Sequence, residues 1–131
     1  MVRVLSDVDE LVALTGSELG RSEWVVLNAA RVDPFLHVTQ SSIGYLVLAM
    51  IPVLSQQIWR IDGLTFAVNG GLNRLRFPEP VAAGARVQLR SSVVSVRGMR
   101  GGAHLVMAER LYDDVHPDPV VDAETVTVLR F

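Results

Sequence analysis

The run from Ile43 to Leu54 constrains this chain most. It is apolar on nearly every side, interrupted only by Gly44 and Pro52. A helix with no polar face cannot lie on a surface; other structure or lipid must cover it. This run falls short of the ~20 residues that cross a bilayer, so it reads as a buried core helix. Ser41 or Ser42 can cap it, and Ser55-Gln56-Gln57 marks where it emerges toward water, giving a helix of roughly Ile43 to Trp59. Pro52 should kink that helix or remove one backbone hydrogen bond.

The chain beyond the helix is strand-rich. Leu64 to Val68 and Leu72 to Phe77 flank Gly70-Gly71, a pair that suggests a bulge or bend. Arg86 to Val96 reads as one long strand, Gly98 to Gly102 as a hairpin turn, Ala103 to Tyr112 as the return and Val120 to Phe131 as a last alternating strand. Before the helix, Ser6 can cap a short helix that Gly16 ends, and Glu23 to Leu27 reads as a first strand. Asn28 then caps a second helix containing Val32, Phe35 and Leu36, with Pro34 expected in its early turn. One long buried helix succeeded by an antiparallel meander suggests an α+β layer in which a sheet wraps a helix.

Composition excludes several chemistries. With 131 residues the chain is read as one domain, 1–131, with a single core. Its formal net charge of -2 gives no reason to expect nucleic acid or an anionic membrane as partner. All 12 basic residues are Arg, which excludes Schiff-base lysine chemistry and a phosphate-binding P-loop. The chain has no cysteine, so disulfides, thiolate catalysis and Cys-based metal sites are excluded. Its three scattered histidines, His37, His104 and His116, form no metal motif. Asp7, Asp9 and Glu10 break any apolar stretch of signal-peptide type, so the expected compartment is the cytoplasm. Nothing in the sequence marks a cofactor.

The segment Asn69-Gly70-Gly71-Leu72-Asn73-Arg74-Leu75-Arg76-Phe77-Pro78-Glu79-Pro80-Val81, continuing to Val87, closely resembles the strand-turn-strand signature of the MaoC-like (R)-specific enoyl-CoA hydratases. The resemblance covers nearly the whole chain. It implies a hot-dog fold, a long central helix wrapped by an antiparallel sheet. It also implies a homodimer with pockets at the subunit junction and an Asp/His pair on a loop before the central helix. That pair acts on one water while a glycine N–H at the helix N-terminus polarises the thioester carbonyl. Here Val32-Asp33-Pro34-Phe35 and Thr39 match the family, Gln40 then runs directly into Ser41-Ser42-Ile43-Gly44-Tyr45, and the Asp-x4-His loop is missing. Gly44 matches the family's glycine, but Ile43 stands where the family has a histidine.

Asp33 and His37, at i and i+4 of the second helix, can share a face and are the one available substitute pair. The plainer reading is an ordinary local pair, acid toward the helix start and imidazole toward its end. Tyr45 follows the glycine at the helix entrance, where the resemblance places the acyl chain, and offers one hydroxyl to a ligand. Trp59 falls on the same helix side as Tyr45 and Gln56, and Met50 and Met99 are adaptable wall material. Asn69 and Asn73 either hold the glycine bend or face the pocket. Arg74 and Arg76 alternate with Leu75 and are expected to face solvent or a subunit interface. The expected site therefore has Tyr45 and Asn69 as polar groups on the ligand. Phe35, His37, Gly44, Ala49, Met50, Gln56 and Trp59 surround it.

Three functions are compatible with these residues. The first, which is preferred, is a repurposed pocket that folds an apolar polyene, polyketide-like or acyl molecule into a reactive conformer. That would make it a cyclase of cycloaddition type in bacterial secondary metabolism, needing no acid/base pair and showing a flat rate between roughly pH 6 and 8. The second is a non-catalytic subunit partnering an active hydratase. The third is a residual hydratase using Asp33 and His37.

Overall fold

A computed structural model describes all residues from Met1 to Phe131. The elements run β1 (Arg3–Leu5), α1 (Val8–Ala13), β2 (Glu18–Arg21), β3 (Val25–Val26), α2 (Ala29–Thr39), α3 (Ile43–Ala49), α4 (Ile51–Ser55) and β4 (Trp59–Ile61). Four long strands complete the chain: β5 (Phe66–Arg76), β6 (Arg86–Met99), β7 (Gly102–Asp113) and β8 (Val121–Arg130). The antiparallel sheet has the order β2-β6-β7-β8-β5, and β3 also pairs with β6. β1 and β4 form a separate parallel pair.

The expected core helix is present but divided. Met50 ends α3 and starts α4, with Pro52 in the first turn of α4. Proline has no N–H to continue the ladder, so the break lies where the sequence placed it. The helix also stops earlier than expected: Trp59 lies on β4, paired with Arg3, and shares no helical face with Tyr45. Val47 and Leu54 are buried with Leu89, Leu105, Leu111 and Ala123, whose strands supply the inner face of the sheet.

Asn28 caps α2 as expected, its side chain accepting from the Arg31 N–H. Pro34 sits beyond the early turn, inside α2. α1 is capped by Asp7 rather than Ser6; the Asp7 carboxylate accepts from Glu10 N–H while Glu10 accepts from Ser6 N–H. The cap thus sits one residue later than expected. The two segments expected on either side of Gly70-Gly71 are one strand, β5, with irregularities at 69/71 and 72/74. A Cβ on Gly70 would lie 3.0 Å from a Val126 methyl, a tight fit, and Gly71 has φ +115°, a conformation that favours glycine. β2 is four residues long and broken by Gly20, so it leaves no alternation in the sequence.

Asp113 organises the β7–β8 turn. One carboxylate oxygen accepts from the N–H groups of Val115 and His116, and the other lies 2.8 Å from His116 Nδ1. His116 Nε2 lies 3.7 Å from Glu79 and ties this turn to the Pro78–Pro80 segment. Burial alone would raise the Asp113 carboxyl, but the bonds from His116 and Val115 outweigh it and hold the group below its usual range. The Asp113 bond raises His116. A base whose folded-state value is raised stabilises the fold fully below its unfolded value of 6.5, and loses that contribution as pH rises through the raised value. His116→Gln should therefore lower the melting temperature more at pH 5.5 than at pH 9. An equal loss at both, by thermal denaturation, would refute this charge coupling.

Candidate functional site

A cavity of about 1000 Å3 lies between the α3–α4 helix and the β5 side of the sheet. Ala49, Pro52, Ser55 and Gln56 line one wall, with Trp59 and Arg60 of β4. Ala67, Asn69, Gly71 and Leu72 of β5 form the outer wall, and Leu105, Met107, Glu109, Thr125, Thr127 and Leu129 form the floor. The site exists because the helix buries one face against the middle of the sheet, while its other face meets β5 only across this space.

The floor carries one carboxyl. On β7 the inward residues run Leu105, Met107, Glu109 and Leu111; on β6 they run Val87, Leu89, Ser91 and Val93. Glu109 and Ser91 are register partners. Both are buried, and the Ser91 hydroxyl donates to Glu109 Oε2. Removal from water pushes the Glu109 carboxyl up to about 7, although the Ser91 bond favours the charged form and pulls the other way. A group that titrates near neutrality therefore sits in the cavity floor, and a flat pH–rate profile is no longer expected.

A second cavity, about 400 Å3, is lined by Phe35, Thr39, Ser41, Tyr45, Leu48 and Ala49. Leu48 and Ala49 line both spaces. Tyr45 is half-exposed and meets Phe77 edge-on, ring centroids 5.1 Å apart. The same Phe77 ring would touch a Cβ on Gly44 at 3.0 Å, so the glycine admits the ring. The motif that carries the family resemblance thus also closes over the helix entrance.

The expected site residues divide between these spaces. Gln56, Trp59 and Asn69 line the large cavity, Phe35 and Tyr45 the small one, and Ala49 both. Gly44 lies under Phe77 and lines neither. Met50 is a core residue, and Met99 sits at the β6–β7 hairpin; neither lines either of these two cavities. The thioether at position 50 points into the core because Met50 falls on the helix face shared with Leu46 and Leu54. Asn69 also holds the bulge, its side-chain oxygen accepting from Gly71 N–H at 2.9 Å. Asn73 instead donates to Glu124 across the strand pair. Arg74 pairs with Asp122 and stays partly open to solvent, and Arg76 is exposed, as expected of this pair.

Asp33 and His37 are exposed on α2 and line neither cavity. Between α2 and α3 the chain makes only a corner. Gln40 adopts a left-handed conformation (φ 52°), and the Thr39 hydroxyl meets both Ser41 Oγ and the Phe35 carbonyl. The two helices meet at 107°. No loop projects at this corner to carry a catalytic pair. No single helix in the chain is long and apolar enough to cross a membrane.

No protein-family model matches the chain. It is 32% identical over 121 residues to 3-hydroxyacyl-thioester dehydratase Z of Mycobacterium tuberculosis, across 77% of this chain and 80% of that protein. Nodulation protein N of Rhizobium leguminosarum is 26% identical over 151 residues, across 97% of this chain and 91% of that one. Among solved structures, an Archaeoglobus monoamine oxidase regulatory protein superposes with TM-score 0.76 at 14% identity, over 99% and 97% of the two chains. The (R)-hydratase PhaJ1 of Pseudomonas aeruginosa superposes with TM-score 0.64 at 17% identity, over 85% and 80%. The ChsH1–ChsH2 complex of Mycobacterium tuberculosis gives TM-score 0.53 at 13% identity, over 93% and 90%. The sheet wrapped on a core helix and the sequence match together place this chain in the MaoC-like dehydratase family of hot-dog proteins.

Proposed function

We propose that this chain is a repurposed family member that binds a neutral, largely apolar, polyunsaturated acyl or polyketide-like molecule and promotes ring closure in it, as a cyclase of cycloaddition type in bacterial secondary metabolism. One observation carries the reading: a largely apolar cavity of about 1000 Å3 that no histidine lines, in a chain whose α2–α3 corner has no loop for an Asp/His pair. Hydration of an enoyl thioester needs a base and an acid converging on one water. Ring closure in a flexible polyene needs chiefly a folded conformer, and holding that conformer can supply a large part of the rate. The relative named for 3-hydroxyacyl thioesters supports an acyl ligand.

Assembly belongs to the same reading. β5 is one edge of the sheet, and Phe66, Val68 and Leu72 are exposed on it, Leu72 also lining the cavity. An apolar edge strand with open N–H and C=O groups recruits another strand. A second copy pairing there would cover the edge and close the cavity. The second reading is a non-catalytic subunit that offers this edge to an active hydratase; the ChsH1–ChsH2 likeness supports heteromeric assembly as an alternative.

Crotonyl-CoA should not be hydrated above the uncatalysed rate. Turnover on the order of 1 per second or faster, abolished by Asp33→Asn, would restore the hydratase reading. Sedimentation should show a dimer of this chain alone; a monomer that assembles only with a hydratase homologue would select the second reading. Ala49 lines both cavities, so Ala49→Trp should abolish the fluorescence rise of methyl parinarate, a neutral polyene ester. Tyr45→Phe should weaken its binding only about two- to fivefold, the loss of one hydrogen bond. Unchanged binding in Ala49→Trp would move the ligand elsewhere.

A further inference from the structure

Glu109 and Ser91 are polar groups that the ring-closure reading leaves unused. They interrupt two apolar inward rows at the same register position, in the floor of the large cavity. Glu109 Oε2 is taken up by Ser91. Oε1 has no protein hydrogen bond and is not sealed in, since no buried polar side-chain atom in the protein lacks a partner. It therefore opens into the cavity. A carboxyl placed this way in apolar surroundings is costly as an anion, and neutral it presents one O–H to whatever occupies the space.

We propose that Glu109, oriented by Ser91, is the polar anchor of the cavity and donates a hydrogen bond from Oε1 to the carbonyl oxygen of a neutral ester, thioester or ketone set in a long apolar ligand. The inference rests on the apolar-ligand reading above and narrows its substrate class. Free carboxylates are rejected, because an anion beside Glu109 gains no cation within the floor. Ser91 and Ala123 flank Glu109 across the sheet, Met107 and Leu111 flank it along β7, and Ser55, Gln56 and Asn69 line the walls above it. Arg60 is the one other charged side chain lining the cavity, and it is solvent-exposed at the β4 wall. The flanking Arg110, Asp122 and Glu124 lie at the opposite strand parity, where Arg110 pairs with Asp122 and Glu124 accepts from Asn73. Deprotonation of Glu109, centred near its raised value of about 7, replaces the donor with an anion facing the carbonyl oxygen.

Three fluorescent polyenes separate the parts of this inference: methyl parinarate (carbonyl, neutral), parinaric acid (carboxylate) and diphenylhexatriene (no carbonyl). The intact protein should bind the methyl ester more tightly than the acid, and about fivefold more weakly at pH 8.5 than at pH 6. Glu109→Gln keeps a donor that does not titrate, so its ester affinity should not vary with pH. Glu109→Leu should weaken the ester about five- to tenfold and leave diphenylhexatriene bound as before. Ser91→Ala removes a bond that favours the charged form and should move the pH midpoint upward, a shift that a purely structural serine would not cause. Ester binding to Glu109→Leu at parental affinity, or parental binding that ignores pH, would overturn the anchor while leaving the cavity reading intact. Failure of both the ester and diphenylhexatriene to bind the parent would overturn the two together.

Discussion

A helix with apolar residues on all sides has to be covered all round, and a single curved sheet can reach only part of it. α3 and α4 bury Val47, Ile51 and Leu54 against the sheet interior. Tyr45, Ala49, Pro52 and Val53 remain exposed on the rest of the helix. Burial of the first set removes enough apolar surface from water to hold the helix in place, at about 1.5–3 kcal/mol for each fully buried large aliphatic side chain. The second set has no cover within one chain. The large cavity and the bare β5 edge are two consequences of that one shortage, which is why they adjoin.

The corner before the central helix carries no projecting loop, which bears on where polar chemistry can come from. Here the entrance holds a corner closed by Thr39 and Ser41, and Phe77 packs over Gly44 and against Tyr45. Polar groups in the large cavity come instead from its floor. A strand residue there is positioned by ladder hydrogen bonds on both sides, and that is a stiffer mount than a loop. Glu109 occupies such a position, between Ser91 on β6 and Ala123 on β8. Its register with Ser91 joins the two groups into one device.

Chain topology ties the cavity to the sheet edge. β5 comes after the helix in sequence but pairs with β8 at the far side of the meander. It therefore serves at once as outer wall and edge strand. Asn69 contributes to both roles: its side chain fixes the bulge at Gly71 and lines the cavity. A change in β5 pairing would reach the ligand space through this bulge.

Most of the fold was legible in the sequence because it depends on local periodicity. Alternation marked β6, β7 and β8 to within a few residues, Gly70-Gly71 marked the bulge, Asn28 marked a helix start, and Pro52 marked the break. The direct passage from Gln40 to Ser41 marked a short connection, and the structure has a tight corner there. Tertiary structure alone decided what shares a space. Trp59 left the helix because β4 pairs with β1, a contact between residues far apart in sequence. Met50 turned inward, and Asp33 and His37 turned away from both cavities. Glu109 and Ser91 did not stand out in the sequence, although each interrupts the inward alternation of an apolar strand. Their meeting depends on the register between two strands, which pairing sets and composition does not. Sequence determined which faces must be buried, because periodicity is a property of neighbours along the chain. Structure decided which polar groups face the ligand, because that requires strands and helix to be brought together in space.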